Sequence, residues 1–125
     1  MWKLAVVMSV AFLASCGTSQ QFAAIPITID TASVPHQTIE MKAQRYQFLP
    51  EEVHVKAGTL VSLNITALDG AHGFDLGAYG IDERLEKDEP TVITFYAGER
   101  GSYDFKCSHF CGIGHFGMNG RVIVE

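Results

Sequence analysis

A chain of 125 residues, 47% of them hydrophobic, has room for one domain with a modest core. Its 14 Asp and Glu outnumber its 9 Lys and Arg, giving a formal net charge of −5, which argues against nucleic acid as a partner and suits a basic protein surface instead. The cysteines number three, and Cys16, which stands apart in sequence from the Cys107–Cys111 pair, needs its own explanation.

The N-terminus supplies that explanation. Lys3 gives a positive start, and Leu4 to Leu13 form a weakly polar-to-apolar run. The run is shorter than the about 20 residues of a spanning helix and fits the apolar part of an export signal. Leu13-Ala14-Ser15-Cys16 closes it and resembles the bacterial lipoprotein signal. That resemblance implies that residues 1–15 are a lipoprotein signal peptide and that Cys16 becomes the lipidated first residue. Lipid chains would then hold the protein on a bacterial membrane, facing the periplasm or cell exterior, without crossing it. An ordinary cleaved signal or an uncleaved anchor is the alternative. No second long apolar segment follows, so no integral membrane bundle is expected. Removing residues 1–15 takes Lys3 from the nine basic residues, so 8 face 14 acidic ones for a net −6.

Residues 16–37 read as a flexible tether, rich in Ser, Thr, Gln, Ala and Pro and without a sustained period. Pro26 and Pro35 favour extended backbone before them, and Ile25 to Ile29 could form a short strand. From Thr38 the chain alternates. Ile39, Met41 and Ala43 share one face and Glu40, Lys42 and Gln44 the other, the pattern of a half-buried strand. Tyr46–Pro50, Val53–Lys56 and Val61–Thr66 continue the series, broken by Ala57-Gly58 and by a turn at Asp69-Gly70. Thr91–Tyr96, Ser102–Lys106 and a closing Arg121–Val124 complete it, with a turn over Gly98–Gly101. The charged run Arg84–Glu89 is expected to be a solvated turn. Short, regularly spaced strands and no long amphipathic helix make residues 38–125 an all-β sandwich or barrel.

The chemistry sits near the C-terminus. Cys107, Cys111, His115 and Met118 follow the spacing Cys-x3-Cys-x3-His-x2-Met. Thiolate and thioether are soft ligands that suit copper, and imidazole suits it too. A short loop brings its ends together at small entropic cost. Gly112, Gly114 and Gly117 between the ligands tolerate the backbone conformations a tight metal loop requires. This predicts a copper site with two bridging cysteines. It lacks a second imidazole, for which His36, His54, His72 and His109 are the candidates. His36 lies in the tether, and His54 alternates with Val53 and Val55 and so points to solvent. Gly73 beside His72 permits close backbone approach.

The segments Ala71-His72-Gly73-Phe74 and Cys107-Ser108-His109-Phe110-Cys111-Gly112-Ile113-Gly114-His115-Phe116-Gly117-Met118 resemble the binuclear copper A (CuA) domain of cytochrome c oxidase subunit II, also found in nitrous oxide reductase. The resemblance spans residues 38–125. It implies a cupredoxin fold, a Greek-key β-sandwich. It also implies two copper ions bridged by Cys107 and Cys111, with His72 and His115 each on one ion. Met118 and the backbone carbonyl of His109 would be the weak ligands. Such a centre passes single electrons in or near a respiratory chain, with a redox protein such as a cytochrome c or a terminal oxidase as partner. The family usually has Glu where His109 stands. The tryptophan-bearing segment of the oxidase has no counterpart, since Trp2 is the only tryptophan. The expected protein is a free-standing, lipid-anchored relative. An electron shared over two metals changes the core by one charge spread over both, so little has to rearrange. Phe74, Phe110 and Phe116 are expected to exclude water around the metals or to pack in the core.

Other readings of the same residues stay open. Cys107 and Cys111 could form a disulfide. Cys111, His115, Met118 and His72 could hold a single copper, and two Cys with two His could hold zinc. A copper carrier or sensor delivering copper to an oxidase would use the same ligands. No general acid or base stands out, so the chain is expected to carry no catalysis by itself, though it could serve as a component of an oxidoreductase.

Overall fold

The computed structural model describes Pro26 and residues 28–125. The expected signal peptide, Cys16 and the tether as far as residue 25 lie outside the described residues, as does Ile27. The described part of the segment expected as a short strand forms a turn instead, with the Ile29 N–H on the Pro26 carbonyl at 3.0 Å. No helix among the described residues is long and apolar enough to cross a membrane.

Among the described residues nine strands run in chain order: β1 (His36–Gln44), β2 (Gln47–Leu49), β3 (Glu52–Val55), β4 (Thr59–Ala67), β5 (His72–Leu76), β6 (Ile81–Leu85), β7 (Thr91–Ala97), β8 (Gly101–Lys106) and β9 (Asn119–Val124). They form two sheets, β2-β1-β4-β7 and β3-β9-β8-β5-β6. β1 runs parallel to β4 and β3 parallel to β9, so the chain crosses between the sheets instead of meandering within one. β1 opens at His36, ahead of the alternation at Thr38, because His36 and Gln37 already pair with Leu60 and Val61 of β4.

The alternating patterns place the core as expected. Val61, Leu63 and Ile65 of β4 are fully buried, as are Met41 and Ala43 of β1. At the centre Phe48, Phe74 and Phe105 meet, with ring centroids 5.7 Å apart for the first pair, 5.2 Å for Phe48–Phe105 and 4.9 Å for Phe74–Phe105. Two of these contacts are edge-on, the arrangement the ring quadrupole favours. His54 stands on the outer face between Glu52 and Glu125, as the alternation of β3 requires, and the hydrogen bonds it donates to the carboxylates of Glu52 and then Glu125 hold its pKa above the ordinary value.

Two strands have no alternation to announce them. β5 (His72–Leu76) is buried at every position but Asp75, so it carries no polar face. β6 (Ile81–Leu85) buries only its ends, because it is the edge of its sheet. The charged run expected as a turn therefore begins inside a strand: Arg84 and Leu85 belong to β6, Leu85 is fully buried, and the turn is confined to the residues after Leu85.

This topology gathers the site at one end of the sandwich. β8 and β9 are antiparallel neighbours whose last pair is Lys106 with Asn119. Cys107 to Met118 is the loop that joins them, and the Cys107 N–H on the Met118 carbonyl at 3.0 Å closes its neck. β5, which begins at His72, pairs with β8 through Asp75 and Lys106 and so brings His72 up beside Cys107.

Candidate metal centre

The neck fixes where the ligands can go. Cys107 and Met118 stand at its two sides, each next to the end of a strand already held in register, and are joined to each other by the backbone bond that closes the neck. The Cys107 and Cys111 sulfurs are buried and lie 3.9 Å apart. An S–S bond is about 2.0 Å long, so the two thiols are free. A thiolate–metal bond is about 2.3 Å, as zinc shows, so an ion seated off the line between these sulfurs reaches both.

The remaining candidates divide between the two sulfurs. The Cys107 sulfur has His72 Nδ1 at 3.8 Å and the His109 carbonyl oxygen at 3.2 Å. The Cys111 sulfur has His115 Nδ1 at 3.5 Å and the Met118 sulfur at 3.9 Å. Each thiol therefore has one imidazole nitrogen and one weaker donor. All six residues named from the sequence, His72, Cys107, His109, Cys111, His115 and Met118, come together, His109 through its backbone. His72, Cys107 and Cys111 alone place their ligand atoms within 4.8 Å of one another, and all three are buried. The His109 side chain turns away and accepts from Arg84 at 3.2 Å.

Supporting residues explain why the imidazole of His72 faces inward by Nδ1. Its Nε2–H donates to Asp69 Oδ1 at 2.8 Å. A carboxylate on the outer nitrogen fixes tautomer and ring orientation and makes the inner nitrogen a better donor. Burial pushes the Asp69 carboxyl up, but hydrogen bonds from His72 and from the Arg45 N–H outweigh it and leave it below the ordinary value. The Gly73 N–H donates to the Cys107 sulfur at 3.5 Å. Gly73 has to be glycine, since a Cβ there would overlap Ser108 and come within 2.7 Å of the His109 nitrogen. Gly112, with φ of +134°, and Gly114 let the loop lie against the Tyr46 ring. Gly117 has open space around its Cβ direction, so crowding does not account for it.

The aromatic residues of the loop differ from expectation. Phe74 is buried in the core, but Phe110 is 67% exposed and Phe116 is 87% exposed, so neither packs in the core nor seals the metals from within. They flank the half-buried His115, with centroids 5.4 Å and 5.0 Å from its ring, and Ile113 on the same loop is 98% exposed. Asp69, Arg45 and Tyr46 were not legible as site residues. For Asp69 the available signal is an acid three residues before a candidate metal-binding histidine.

The family model for the cupredoxin-like domain matches residues 5–124, and the chain belongs to that family. It is 33% identical over 92 residues to a nitrous-oxide reductase of Cupriavidus necator, covering 70% of this chain and 14% of that one. It is 27% identical over 92 residues to a cytochrome c oxidase subunit 2 of Thermus thermophilus, covering 73% of this chain and 68% of the relative. Amicyanin of Paracoccus versutus is 33% identical over 102 residues, 78% of this chain and 72% of that one. Among solved structures, the periplasmic domain of subunit II of the cytochrome oxidase of Bradyrhizobium japonicum superposes with a TM-score of 0.65 at 19% identity, over 70% of this chain and 83% of that one. The chain thus spans about a seventh of the nitrous-oxide reductase and about two thirds of the oxidase subunit. The soft donor set fits copper, the metal that the cupredoxin-like family and the His-Cys-Cys cluster together support.

Burial, and then the neighbouring Cys107 sulfur, push the Cys111 thiol up to about 11. It is therefore protonated at neutral pH, and metal binding has to displace that proton. Below the thiol pKa each displaced proton makes affinity rise about tenfold per pH unit. Competition titrations with a copper(I) chelator, from about pH 6 to about pH 8, should show a rise of at least that slope. A pH-independent affinity contradicts thiolate ligation.

Proposed function

We propose that this chain is an electron-transfer protein with a binuclear copper centre of the CuA type. Cys107 and Cys111 would hold the ions together with His72 and His115, and Met118 and the His109 carbonyl would be the weaker donors. The observation that carries this reading is the division of six donors into two matching sets, one around each sulfur. A single-copper site, the alternative reading of the same residues, leaves Cys107 and the His109 carbonyl without a role.

A bound copper pair supplies a one-electron couple. The protein's part is to keep donor positions the same in both states and to offer the electron a way out. Strands on either side of the neck fix Cys107 and Met118, and the Asp69 carboxylate fixes His72. Preset donors and dipoles lower the reorganisation needed when charge changes. His115 reaches the surface inside an apolar collar of Phe110 and Phe116, with Ile113 exposed on the same loop. A collar that sheds water against a redox partner such as a cytochrome c or terminal oxidase brings that partner close to a ligand ring. Copper delivery would need exposed, exchangeable sulfurs; those of Cys107 and Cys111, at 4% and 8% residue exposure, favour retention. The copper domain starts with β1 at His36, and the residues between lipidated Cys16 and that strand would tether it to a bacterial membrane on the periplasmic or outer side.

Copper counting with electron paramagnetic resonance tests the centre. The loaded full chain should hold two coppers and show hyperfine splitting from two equivalent nuclei, and Cys107→Ser should abolish the shared-electron pattern. One copper with a four-line spectrum contradicts it. For the anchor, membrane fractionation of the expressed protein should find it in the membrane and Cys16→Ala should release or arrest it; an unlipidated, freely soluble native protein contradicts that part.

A further inference from the structure

The two-residue turn between β1 and β2, Arg45-Tyr46, touches both halves of the metal site, although it contributes no ligand. The Arg45 N–H donates to Asp69 Oδ2 at 2.7 Å, while the other oxygen of the same carboxylate holds His72 Nε2 at 2.8 Å. The Arg45 side chain crosses to the cysteine loop, where its Nε–H donates to the Cys111 carbonyl at 2.9 Å. Next along the chain, the Tyr46 ring supports the same loop at Gly112 and Gly114, where any Cβ would strike it. Gly70 leaves room for the guanidinium, since a Cβ there would come within 3.3 Å of it. The turn itself is held in register, with Gln44 paired to Gln47 and the Leu68 N–H on the Ala43 carbonyl at 2.9 Å. His72 and Cys111 are thus linked through two residues, Asp69 and Arg45, neither of them a ligand.

Resting on the copper reading above, we propose that Arg45 is a positioning residue that holds His72 and Cys111 at their separation and, through its fixed positive charge beside Cys111, favours the reduced state of the centre. Reduction lowers the positive charge of the metal core by one, so a cation beside the core disfavours the oxidised state. A Lys at this position would keep a charge but not the planar fork whose Nε–H meets the Cys111 carbonyl.

The test uses the copper-loaded full chain with Arg45→Gln and Arg45→Lys, reading copper per chain, the paramagnetic spectrum and the redox equilibrium against one mediator dye. Arg45→Gln should keep the wild-type copper count and shift the equilibrium toward the oxidised form by at least about tenfold, which is about 59 mV for one electron. Arg45→Lys should recover most of that shift while changing the hyperfine pattern, because the carbonyl contact is lost. An unchanged equilibrium in Arg45→Gln, or equal shifts in both variants, overturns the proposal. If Arg45→Gln is too unstable to load, Arg45→Lys decides: a loaded site within about threefold of the wild-type equilibrium supports the charge role, and a tenfold shift or lost copper overturns it. Failure of the wild-type chain itself to bind copper is a different result and strikes the copper reading, not the role of Arg45.

Discussion

Everything at this end of the molecule depends on two sulfurs held close without bonding. Cys107 and Cys111 lie 3.9 Å apart, too far for a disulfide and near enough to share an ion. A flexible loop would not hold that distance. Here the first cysteine leaves β8 at the neck of the hairpin, where its N–H is fixed to the Met118 carbonyl. The second is held by its own carbonyl, on Arg45. The separation is therefore set by two sheets meeting around the site, not by the loop alone.

Burial acts on this pair in two directions. It keeps water from the sulfurs and leaves the Cys111 thiol reluctant to ionise. A metal ion reverses that preference, because it supplies the positive charge that the buried thiolates lack. The same loop that buries both sulfurs leaves Phe110, Ile113 and Phe116 outside. The centre is thus closed to solvent at its sulfurs and approachable at His115.

Legibility in the sequence followed the range of the interactions. The cysteine loop could be read directly because its ligands lie within one short segment, and the strands of the core sheet because β1 and β4 alternate cleanly. His72 came only from resemblance, since nothing local ties it to a cysteine 35 positions away. β5 and β6 were missed because one is buried on both faces and the other is an edge strand. Arg45 was out of reach because its bond to Cys111 spans 66 positions, and Asp69 read only as a turn residue. Phe110 and Phe116 were misjudged because aromatic residues in a glycine-rich loop carry no period that says which way they face.

The central claim is that one electron is shared over a pair of metals gripped by Cys107 and Cys111. Coulometric reduction of the fully loaded, oxidised chain, with copper measured on the same sample, tests it most directly. The account predicts one electron taken up for every two coppers in a single step. One electron for each copper, or two separate steps, would contradict it.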